Sequence, residues 1–122
     1  MAIDIRRRLW DLINSAWLKM SVREQRLWES VRIDPVKWSQ SPYGDLGGGF
    51  WAVGVIGRIV VWYNDIEDGF NCSHYSSYGQ IGEYWCNQDD LDISVRKLLG
   101  RIDDGYDLAP FVGPPRPGPY PG

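Results

Sequence analysis

Residues 49–71, Gly-Phe-Trp-Ala-Val-Gly-Val-Ile-Gly-Arg-Ile-Val-Val-Trp-Tyr-Asn-Asp-Ile-Glu-Asp-Gly-Phe-Asn, set two apolar stretches on either side of Gly57-Arg58 and then turn abruptly acidic. Two strand-forming runs separated by two residues, with glycine first, predict a tight antiparallel hairpin of Phe50 to Ile56 with Ile59 to Tyr63. Neither run alternates apolar with polar side chains. A half-exposed strand would do so, hence both faces of this hairpin must be covered. A third strand over about Phe70 to Tyr75 follows the turn Asn64 to Gly69 and completes a meander.

The flanking segments supply the cover. Ile5, Leu9, Leu12, Ile13, Ala16, Trp17 and Met20 recur at spacings of three and four and predict a first helix. Ser21-Val22-Arg23-Glu24 matches a capping box, so a second helix begins there with Leu27, Trp28 and Val31 on one face. Asp34-Pro35 breaks that pattern, because a residue before proline avoids helical geometry. Pro35 itself suits the start of one further helical turn through Trp38. Ser39 to Gly49, ending in three glycines, reads as a loop, and Tyr78 to Asn87 as irregular. A last helix, capped by Asn87 or Asp89, carries Leu91, Val95, Leu98, Leu99 and Ile102 at helical period, with acids early and Lys97 and Arg101 late. The expected fold is α+β: N-terminal helices, a central antiparallel meander of three or more strands, and a C-terminal helix on the sheet. Residues 1–104 form a single domain, and residues 105–122 are a Pro/Gly-rich tail of polyproline character.

The chain has 122 residues, seven tryptophans, seven tyrosines and a formal net charge of −3. A domain of this length buries enough surface to stand without staples, so Cys72 and Cys86 are expected as free thiols in a reducing, cytoplasmic setting. The basic N-terminus lacks a cleavage site, and no apolar run is long enough to cross a membrane. An acidic balance argues against nucleic acid and for a basic partner. The short run Arg6-Arg7-Arg8 projects around its helix and reads as a solvated face. The proline-rich tail has the chemistry to dock in an aromatic groove, but a linker has the same composition.

Catalytic and metal motifs each require a spacing that their chemistry sets. Asn64, Asp65, Glu67 and Asp68 before Gly69 resemble a calcium loop, yet with Gly69 at the sixth position the third is Ile66 and the twelfth Tyr75, which supply no side-chain carboxylate. Cys72, His74 and Cys86, with Glu83 or Asp89 as a fourth ligand, lack the paired short spacings of a zinc site. Paired acids beside aromatic rings, the requirement of a sugar hydrolase, are present, but nothing in the sequence sets their separation. Gly47-Gly48-Gly49 lacks the Lys-Ser/Thr of a phosphate loop. No cofactor and no metal is expected.

The order of helices, a glycine-containing loop, aromatic strands ending in Val61-Trp62-Tyr63-Asn64-Asp65 and a closing helix, across residues 49–102, resembles the SUKH superfamily of bacterial immunity proteins. That resemblance implies a protein that neutralises a toxin by binding it. Aromatic anchors with flanking acids suit such an interface, since rings supply buried area and acids steer a basic partner. The expected contact surface is Trp62, Tyr63, Asp65, Glu67, Asp68, Tyr84 and Trp85. The alternative is a small hydrolase using a carboxylate or Cys/His site.

Overall fold

A computed structural model describes residues 5–104; the expected tail, 105–122, lies outside the described residues. Helix α1 spans Ile5–Trp17 and α2 spans Val22–Val31, followed by strands β1 (Arg32–Trp38), β2 (Phe50–Ile56), β3 (Ile59–Asn64) and β4 (Gly69–His74) and by helix α3 (Leu91–Asp104). The strands form one antiparallel sheet in the order β1-β2-β3-β4. No helix among the described residues is long and apolar enough to cross a membrane.

The sheet is covered on both faces, as its uninterrupted apolar strands require. On one face the helices bring Leu9, Ile13, Trp28, Val31, Val95 and Leu98 against Val53, Val61, Tyr63, Phe70 and Cys72. On the other face Phe50, Ala52, Val60 and Trp62 pack with Trp38 and with Ile81, Tyr84 and Trp85, which lie in irregular backbone. Two cores therefore share one sheet. The hairpin between β2 and β3 turns at Gly57, whose φ of 56° meets the need of a two-residue loop for a left-handed first position.

One expectation fails: Pro35 does not open a helical turn. Helix α2 passes directly into β1, with Arg32 as its C-cap in extended backbone and Pro35 inside the strand. Strand β1 pairs only with β2, and its register shifts between Arg32 and Val36, so the missing proline N–H falls at an edge and an irregularity. Beyond Pro35, pairing of Trp38 with Phe50 and burial of the Trp38 ring outweigh any local helical preference.

Two contacts lock the helices. In the capping box, the Ser21 hydroxyl accepts from the Glu24 amide at 3.2 Å, and Glu24 accepts from the Ser21 amide at 2.8 Å. Glu24 also accepts from Arg96 Nε of α3 at 3.0 Å. Burial alone would push the Glu24 carboxyl up, but the Ser21 amide and the Arg96 guanidinium outweigh it and hold the group below its ordinary range. A residue that starts one helix thus ties it to another. At Gly54, a Cβ would lie 3.0 Å from the Trp28 ring, so glycine lets α2 approach β2 closely.

Gly69 is under greater constraint, because a Cβ there would sit 2.2 Å from the Asn87 carbonyl oxygen and 2.5 Å from Gln88 Cα. The backbone of 87–88 runs directly across the start of β4. Gly69→Ala should therefore destabilise the fold by about 1–3 kcal/mol, as overpacking does. Gly100→Ala, within α3 and with nothing within 4 Å of the new methyl, should stabilise it by up to about 1 kcal/mol. Urea denaturation of both variants checks the pair, and equal midpoints would contradict the described crossing at Gly69.

Candidate functional site

The turn between β3 and β4 is built from Asn64 outward. Its side chain is completely buried, and its Oδ1 accepts from the amides of Ile66 at 3.0 Å and Glu67 at 3.2 Å. This is the local bonding by which asparagine shapes a turn. From the same carboxamide, Nδ2 donates to the Tyr84 hydroxyl at 2.9 Å and to the Trp85 carbonyl at 3.0 Å. One residue therefore sets both the acidic turn and the segment packed over the second core.

Neighbouring polar groups continue this attachment. Trp62 Nε1 donates to Ser73 Oγ at 2.9 Å, and Ser73 donates onward to the Glu83 carbonyl at 2.8 Å. Asn71 accepts from the Asn87 amide at 3.1 Å and donates to the Asn87 carbonyl at 3.3 Å, while the Phe70 amide donates to Asp89 at 2.9 Å. The outer edge of β4 is occupied where it begins.

On the helix side, Asp68 adopts a φ of 56°, a left-handed conformation that aspartate tolerates better than most residues. Its carboxylate accepts from the Tyr63 hydroxyl and from Arg8 Nη2, at 3.1 and 3.0 Å to its two oxygens. The Tyr63 bond, with Arg8 behind it, outweighs burial and holds the Asp68 carboxyl below its ordinary range. Burial and the adjacent carboxylate push the Tyr63 phenol up to about 12.

These contacts correct the expected interface. Trp62, Tyr63, Tyr84 and Trp85 are only 0%, 2%, 9% and 5% exposed, so the rings belong to the two cores and present no contact surface. The physical reason is the sheet's double cover: Trp62 faces the irregular segment and Tyr63 the helices. Asp65 and Asp68 are exposed and Glu67 is half-buried. The structure brings these acids together, although Asp68 is engaged by Arg8 and Tyr63.

Sequence reasoning passed over the residues that are exposed beside them. Tyr43, in the glycine-rich loop, stacks on Tyr84 with ring centroids 4.0 Å apart and remains 42% exposed. Ile66 is 59% exposed between the acids, and Leu46, in the same loop as Tyr43 and next to Asp45, is fully exposed. The glycine-rich loop and the acidic turn meet through Tyr84, whose hydroxyl Asn64 holds. Only the apolar character of Leu46 and Ile66 within polar turn sequence could have signalled this.

The residues of the hydrolase reading are dispersed. Cys72 is buried with Sγ 3.9 Å from the Ser94 carbonyl, whereas His74 is exposed at the strand end, 3.2 Å from Glu83. No disulfide joins Cys72 to Cys86. Asp89 pairs with Lys97 and Asp90 with Lys19. Among the described residues no group of His, Cys, Asp and Glu has the geometry to hold a metal ion.

Because the folded pKa of Tyr63 exceeds its ordinary value of 10, its contribution to stability is complete below about pH 10 and is lost as pH rises through about 12. Tyr63→Phe should be less stable at neutral pH, through loss of the bond to Asp68, and should show a shallower decline over that alkaline window. Denaturation midpoints measured across the window for both proteins check this, with parallel declines as the contrary result. Comparison of the chain with protein-family models, curated proteins and solved structures finds no match.

Proposed function

We propose that this protein binds another protein through the acidic end of its sheet, where Asp45, Asp65 and Glu67 accompany the exposed side chains of Tyr43, Leu46 and Ile66. One observation carries the reading. Exposed apolar side chains and acids occur on two loops, 43–46 and 65–67, that Tyr84 and Asn64 link from beneath. A surface fixed before encounter loses little conformational freedom on binding. Its apolar members supply contact area, and its acids favour encounter with a basic partner and disfavour an acidic one.

The partner is a basic protein, and the resemblance to SUKH immunity proteins makes a toxin the specific form of this proposal. Neutralisation would then follow from covering a cationic surface, without chemistry on the toxin. The rings that the sequence suggested as anchors take a different role here. Tyr84 and Trp62 support the surface from the core, and Leu46 and Ile66 do the touching.

The experiment is affinity capture with wild-type protein and with an Asp65→Lys/Glu67→Lys variant, followed by titration of the captured protein at two salt concentrations. The expected result is a basic partner whose binding weakens about tenfold or more on charge reversal and also weakens with salt. Unchanged capture by a variant with native circular dichroism would overturn the proposal.

A further inference from the structure

A second surface has the opposite chemistry. Arg6, Trp10, Asn14 and Trp17 recur at steps of three and four, so they form one stripe running about 16 Å along α1. Cations from neighbouring elements approach rings on and beside it. Arg6 and Lys37 lie 5.6 and 5.3 Å from the Trp51 ring centroid, and Arg32 lies 5.9 Å from that of Trp10.

At the end of this stripe Trp17 forms a wall common to two open cavities. One, of about 400 Å³, runs along α2 past Val22, Arg26 and Glu29. The other, of about 270 Å³, is bounded by Ile13, Trp28, Glu29 and Arg32. Together they make a trough of mixed lining, in which Trp17, Val22 and Ile13 alternate with polar Asn14, Gln25 and Ser30 and two guanidinium groups stand at the sides. Among the described residues Glu29 is the one carboxylate lining it, and Arg32 stands 3.5 Å from that group. Arg26 has no ion pair among the described residues. The trough therefore carries excess positive charge in a protein whose net charge is −3.

We infer that this trough docks an acidic, apolar peptide segment of another protein. One apolar side chain of the segment seats against Trp17 and Val22, and acids on either side of it meet Arg26 and Arg32. This site goes beyond the proposed function, which uses the acidic loops. A nucleic-acid strand fits the trough poorly. The Trp10 and Trp51 rings pack against the core and each has a cation beside it, so neither is an open platform for bases, and Glu29 would oppose a phosphate chain. A concave lining that includes Trp17, Val22 and Ile13 suits an apolar side chain better.

The test is fluorescence anisotropy with a pool of labelled peptides fixed as acid–apolar–acid and randomised elsewhere, against a basic–apolar–basic pool and an oligothymidylate. Saturable binding of the acidic pool alone is expected, weakened about tenfold or more by Arg26→Glu or by Arg32→Glu. Asp65→Lys, in the other surface, should leave it unchanged. Arg26→Glu replaces an exposed side chain, so a native circular dichroism spectrum separates lost binding from lost folding. Absence of saturable binding, equal binding of the basic pool, or preference for the oligonucleotide would overturn the inference. So would wild-type self-association abolished by Asp65→Lys, since the chain's own Asp65-Ile66-Glu67 turn would then be the occupant.

Discussion

The carboxamide of Asn64 is the interaction on which the arrangement of this fold's working end depends. A buried amide offers two acceptor sites and two donors, and each unmet group costs free energy in a dry interior. Here both donors and the oxygen are engaged, joining the 64–67 turn to the segment of Tyr84 and Trp85 about twenty residues on. The acidic turn cannot change shape without breaking bonds to the segment that carries Tyr84 and Trp85. Conversely, that segment has few backbone ladder bonds of its own, and it is positioned by side chains of the sheet: Asn64, Asn71 and Ser73. Irregular backbone becomes a fixed layer because the strands beneath present amides and a hydroxyl in place of aliphatic groups.

This arrangement explains how a four-stranded sheet buries both faces within a small domain. Helices cover one face, but among the described residues no helix covers the other, and a layer of loops excludes water there. Large rings suit the task, since Trp38, Phe50, Trp62 and Tyr84 fill volume that short irregular segments leave open. Their polar handles are used in turn: Trp62 binds Ser73, and Tyr84 binds Asn64. The high aromatic content is thus explained largely by coverage of the sheet.

The same fact marks the limit of what was legible in the sequence. The β2–β3 hairpin, both outer helices and the Ser21–Glu24 capping box could be read because each has a local cause: a glycine turn, a period or a reciprocal cap. Strand β1 could not, because Arg-Ile-Asp-Pro-Val-Lys-Trp has weak strand character and is extended through its pairing with β2. The site was half legible. Acids in the 65–68 turn are exposed as any turn residue tends to be, whereas an aromatic residue in a strand with two apolar faces gives no sign whether it meets a core or a partner. Arg6 and Trp10 present a related difficulty. Their spacing places them on one face of α1, but that Lys37 and Arg32 approach the same band of rings is a property of the sheet edge alone.

The separation of charge between the two surfaces has a physical basis in where the ion pairs fall. Cations of α1, α2 and α3 that lie near acids are drawn into links between elements: Arg8 to Asp68, Arg23 to Asp103 and Arg96 to Glu24. The two exposed pairs, Arg8–Asp68 and Arg23–Asp103, add little to stability individually. Their effect on the surface field is larger, because each removes one charge of either sign from what a partner meets. Asp65 and Glu67 remain at the sheet end, and Arg26 remains beside Trp17, where Arg32 stands against Glu29. A modest net charge therefore conceals two local fields of opposite sign, each next to exposed or half-buried apolar side chains.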